Sequence, residues 1–149
     1  MKLAEALQLR SDLNKQIDML QRRINNNIII QEGDKPAEDP KELINQLNDC
    51  LNKQSDLIAQ INLTNCKTIV NGKSLTELIA EKDILMIKIN AYRDIVSRAS
   101  NIAGRMTRTE IRFMSTVNAR EIQKEIDDMS ASLRRLENTI QQTNWTTDL

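Results

Sequence analysis

The sequence predicts a mainly α fold of four long antiparallel helices, arranged as a bundle or as coiled-coil-like hairpins. Apolar residues recur at alternating steps of three and four along four stretches, which lines one face of a helix. Capping residues stand where those stretches begin, and turn residues stand between them. Two small β features accompany the helices, a hairpin near 68–75 and a strand-like segment near 109–117. The length of 149 residues is that of one domain, so residues 1–149 read as a single helical domain.

The first helix is expected from Leu3 to Ile30, with Leu13, Ile17, Leu20 and Ile24 on its apolar face and Gly33 beyond its end. After the loop from Glu32 to Glu38, Asp39 is placed as N-cap of the second helix. Pro40 follows in the first turn, where its missing N–H costs nothing, and Glu42 completes a box-like arrangement. Its stripe reads Ile44, Leu47, Leu51, Ile58 and Ile61, and its end is expected near Asn65. Asn71-Gly72 between two short β-favouring runs predicts a type I′ hairpin, because both central residues of that turn need positive φ.

Ser74 and Glu77 cap a third helix reaching about Ala99, with Leu75, Leu78, Leu85, Ile89, Tyr92 and Val96 on one face. In the connection 100–117, Thr109, Ile111, Phe113, Ser115 and Val117 alternate with polar or flexible residues, a period of two that predicts a strand. Asn118 and Glu121 cap the fourth helix, whose stripe is Ile122, Ile126, Met129, Leu133, Leu136 and Ile140 and whose end is expected near Thr143. Each helix is roughly 40 Å long at about 1.5 Å per residue. The long third connection leaves the direction of the fourth helix open.

Three stripes are narrow, close to a coiled-coil seam. The third helix differs. Ile84, Leu85, Met86, Ile87, Ile89, Tyr92, Ile95 and Val96 cover more than one face, so it needs more than one neighbour. Long thin helices with one over-apolar member point to self-association as a homo-oligomer; a compact monomeric four-helix bundle is the alternative. Polar residues on the seams, namely Asn27, Gln54, Asn65 and Lys82, suit a role in register and partner number rather than catalysis.

The composition removes several function classes. Lys plus Arg and Asp plus Glu are both 21, so there is no basic excess for nucleic acid, and Arg22-Arg23 and Arg134-Arg135 read as solvated faces. There is no histidine, the commonest general base and metal ligand. No glycine-rich phosphate loop or nucleophile elbow is present, so no catalytic residue and no cofactor is assigned. Cys50 and Cys66 lie along one helical track, about 24 Å apart, too far for a disulfide; unpaired thiols fit a reducing compartment. The opening Met1–Leu7 is amphipathic and carries Glu5, unlike a signal peptide, and the longest apolar run is Ile84–Ile87, far short of a membrane span. A cytoplasmic protein is expected.

The charged candidates fall in two clusters. Between Glu32 and Glu42 stand five acids and two lysines, and between Arg98 and Arg112 four arginines and one glutamate. Antiparallel packing of the first three helices would bring them to one end. Glu32, Asp34, Glu38 and Asp39 are the weak candidates for a hard metal cation; Arg105, Arg108 and Arg112 are candidates for an anion or a partner. An end cap in which these charges pair with one another is the competing reading. Trp145, placed just past the last helix, is expected to tie down the tail or dock on a neighbouring subunit.

The opening Met1-Lys2-Leu3-Ala4-Glu5-Ala6-Leu7, the loop Glu32-Gly33-Asp34-Lys35-Pro36-Ala37-Glu38-Asp39-Pro40, the stretch Glu110–Val117 and the ending Asn144-Trp145-Thr146-Thr147 together resemble a family of small bacterial proteins. Some of its members carry the name septicolysin. The resemblance runs from end to end and implies a bacterial helical protein; the name implies a toxin or pore-former. Three functions therefore compete. The residues favour a self-assembling protein-interaction or scaffold protein. The resemblance adds a pore-forming or membrane-active protein, and the charged loop end adds a ligand or metal binder.

Overall fold

The computed structural model describes residues 1–102 and 112–149. Four helices carry the fold: α1 (Leu3–Asn27), α2 (Pro40–Lys67), α3 (Leu75–Ser100) and α4 (Ala119–Thr146). Between α2 and α3 lies a two-stranded antiparallel hairpin, β1 (Ile69–Val70) and β2 (Lys73–Ser74), with Ile69 opposite Ser74 and Val70 opposite Lys73. Asn71 and Gly72 at its tip have φ of 51° and 82°, the left-handed conformations a type I′ turn demands. The mainly α class expected from the stripes is what the chain adopts. It divides into two compact units, Met1–Ser74 with Thr143–Leu149, and Leu75–Gln142.

In the first unit α1 and α2 form an antiparallel hairpin. Leu20 and Ile24 near the end of α1 pack with Leu43 and Cys50 near the start of α2, flanked by Ile17 and Leu47. Further along, Gln54 donates to the Asn14 side chain across the pair. The seam on α2 is Leu43, Cys50, Leu57 and Ile61 with Leu47 packed beside it; of the expected stripe Leu47 and Ile61 stand on it, whereas Ile44, Leu51 and Ile58 are exposed. Two heptad tracks overlap on this helix. The track through Leu43, Leu47, Cys50, Leu57 and Ile61 is interrupted only by Gln54, whereas the track through Ile44, Leu51 and Ile58 alternates with Asn48, Ser55 and Asn62. Burial selects the track with more apolar positions.

Helix α1 ends at Asn27, three residues earlier than the stripe and Gly33 predicted. The reason is the Asn27 side chain. Its Nδ2 donates to the Arg23 carbonyl at 2.8 Å, and its Oδ1 accepts from the Glu38 backbone N–H at 3.0 Å. A local bond of this kind competes with the helical ladder and here fastens the 28–39 connection to α1. Helix α2 starts where predicted, with Asp39 Oδ1 accepting from the Lys41 N–H at 2.9 Å.

In the second unit α4 runs antiparallel to α3. Ala80, Ile84 and Lys88 share a groove with Ser132, Arg135, Leu136 and Thr139, while Asn90 and Arg93 line a cleft with Ser130, Leu133 and Arg134. Later residues of α3 thus face earlier residues of α4. Asn118 caps α4, its Oδ1 accepting from the N–H groups of Arg120 and Glu121 at 3.1 and 3.4 Å. The strand expected near 109–117 is absent over 112–117, where Ser115 Oγ instead bonds the Val117 backbone in a local turn. Residues 109–111 lie outside the described residues.

Candidate functional site

The acidic loop is used by the fold. Glu38 forms a two-pronged ion pair with the Arg23 guanidinium, Nε to Oε2 at 3.0 Å with Nη2 on the other oxygen. That hydrogen bond, with the attraction of the two charges, holds the Glu38 carboxyl below its usual range and the Arg23 guanidinium above its own. Asp39 caps α2, and the Asp34 N–H donates to the Gln31 carbonyl in the turn around Gly33. Glu32 and Asp34 are exposed. Among the described residues no three His, Cys, Asp or Glu side chains converge on one point, so Glu32, Asp34, Glu38 and Asp39 do not form a metal cluster. Of the arginine candidates, Arg105 and Arg108 lie outside the described residues, and Arg112 is exposed.

Trp145 lies within the last turn of α4 rather than past it, and 61 % of it is exposed. The tail is tied down by main chain instead. Leu3 N–H donates to the Thr147 carbonyl and Leu149 N–H to the Met1 carbonyl, each at 2.9 Å, around an antiparallel bridge between Lys2 and Asp148. The Lys2 ammonium reaches Asp148 at 2.8 Å and the Thr146 carbonyl at 3.2 Å. The lysine hydrogen bond and charge draw the Asp148 carboxyl below its ordinary value. Asn144, next to the tryptophan, is the buried residue of this segment.

The surface that stands out is on α3. Ile84 and Ile87 are 64 % and 63 % exposed, and Ile95 and Met86 are exposed as well. The helix buries only Leu75, Leu78 and Ile89 fully. Beside Ile84 opens a shallow groove of about 730 Å³ between α3 and α4, floored by Leu85 and Leu136 and edged by Glu81, Lys88 and Arg135. The Lys88 ammonium stands 5.4 Å from the centre of the Tyr92 ring one turn on. The isoleucines were legible as the apolar excess of the third helix. The charged rim was not, since Glu81, Lys88 and Arg135 read singly as ordinary surface residues.

What the groove can do is bury apolar side chains of something laid along α3. Large exposed apolar surface with a polar rim marks interaction sites in folded proteins. Among the described residues no helix is long and apolar enough to cross a membrane, and no disulfide links Cys50, which is buried, to Cys66.

No curated protein matches the chain. The crystal structure of a functionally unknown conserved protein from Corynebacterium diphtheriae is similar over 100% of this chain and 98% of its own, at 34% identity and a TM-score of 0.92. Residues 10–149 match the model of a family of unknown function (DUF6847), to which this chain belongs.

Proposed function

We propose that the protein is a self-associating helical interaction protein, and that its contact surface centres on α3. The observation that carries this reading is the exposure of Ile84 and Ile87 in the middle of a helix beside an apolar groove. Burying a single isoleucine is worth about 1.5–3 kcal/mol, so two left in water in mid-helix leave a substantial free energy to be gained on association. Unlinked Cys50 and Cys66 support a reducing compartment such as the cytoplasm as the place of action.

Self-association makes apparent stability depend on protein concentration, because the partner binds the folded state only. The melting temperature should rise when the concentration is raised from about 1 to 100 µM. A melting temperature independent of concentration over that range, with the mass of one chain, contradicts the proposal. Dye-loaded anionic vesicles test the membrane-active reading in parallel: no leakage is expected at the concentrations where the chain associates.

A further inference from the structure

Four exposed residues of α3 form a palindrome. Ala80, Ile84, Ile87 and Ala91 follow one another at steps of four, three and four, and all four are exposed. Steps of three and four keep them on one face of the helix. The stripe has its mid-point between Leu85 and Met86 and covers about 17 Å of helix. Reversing the helix about that point replaces alanine by alanine and isoleucine by isoleucine. An interface made by a two-fold axis requires such a self-complementary patch, since the same surface must serve both copies.

From this we infer that the occupant of the α3 face is a second copy of this chain, with the two α3 helices antiparallel across a two-fold axis. The inference rests on the self-association proposed above and gives it a geometry. Ile84 meets the partner's Ile87 in two equivalent central layers. Ala80 meets the partner's Ala91 at both ends, where small side chains let the backbones approach. The edge of the stripe beside the groove carries Glu81 and Lys88. A two-fold axis perpendicular to both helices sets this edge against the same edge of the partner. The reversal brings Lys88 to within about 3 Å, in height along the helix, of the partner's Glu81, so opposite charges face each other twice. A parallel two-fold sets this edge against the partner's opposite edge, so the pairing of Lys88 with the partner's Glu81 is lost.

Light scattering on three proteins separates the geometry from the reading beneath it. The wild type is expected at twice the 17.1 kDa of the chain. Ile84→Glu/Ile87→Glu, which changes only exposed positions, is expected at one chain mass with an unchanged helical circular dichroism spectrum. Ile44→Glu/Leu51→Glu, on the exposed track of α2, is expected to stay dimeric. A wild type of one chain mass contradicts self-association itself. A dimer that persists in the α3 variant, or is lost in the α2 variant alone, keeps self-association and overturns the α3 interface. Cysteines then fix direction in a Cys66→Ser background: an oxidised mixture of Ala80→Cys and Ala91→Cys chains should form covalent dimers, and neither variant should do so alone. Cross-linking of Ala80→Cys with itself would show a parallel pair and overturn the antiparallel one.

Discussion

Asn27 does more for this fold than its place in the sequence suggests. It sits at a seam position, where a polar residue reads as a register device, yet its two bonds end α1 and hold the Glu38 backbone. Asn27→Ala removes both and leaves the Glu38 N–H without this acceptor, so a loss of about 1–3 kcal/mol is expected in urea unfolding. Leu20, 1 % exposed in the core of the same hairpin, should cost about 2–5 kcal/mol when truncated to alanine. At the hairpin tip Gly72 has φ 82° with open space around its α-carbon, so Gly72→Ala meets no clash and pays only for the left-handed backbone, about 1 kcal/mol. The pH dependence follows from Glu38 and Asp148. Both carboxyls are held below their ordinary values in the folded chain by Arg23 and Lys2. Their contribution is therefore present above the unfolded carboxylate range and lost as pH falls through the lowered folded values. Glu38→Gln should lower the neutral region and flatten the acid limb of a stability–pH profile, so that the two proteins converge at low pH; an acid limb of unaltered slope would contradict the pairing.

At the scale of elements, what the sequence made legible follows from how local each signal is. The Asp39-Pro40 start of α2, the Asn118 cap of α4 and the Asn71-Gly72 turn are decided within three or four residues, and each stands where the sequence puts it. On α2 two apolar tracks overlap, and the one with more apolar positions packs against Leu20 and Ile24, a count made only when both tracks are followed along the whole helix. The end of α1 is set by a contact eleven residues away, between Asn27 and Glu38. The alternation over 109–117 reads as a strand, but a strand needs a neighbour to satisfy its ladder, and 112–117 forms none. The candidate metal residues show the same division. Their charge was visible, but not that Glu38 is committed to Arg23 and Asp39 to the α2 cap. The apolar excess of α3 was visible because no partner is needed to count isoleucines; its palindrome acquires meaning only once α3 is known to leave that face exposed.

The whole molecule balances 21 basic against 21 acidic side chains and has no histidine. The family and the Corynebacterium diphtheriae structure place the chain among conserved helical proteins, and neither printed description names a ligand. The function proposed therefore stands on uncovered apolar surface. The direct measurement of that claim is the mass in solution of the wild type beside Ile84→Glu/Ile87→Glu, by light scattering at equal concentrations between about 10 and 100 µM. The account predicts two chain masses for the wild type and one for the variant. A single-chain mass for both, or an unchanged dimer in the variant, would contradict it.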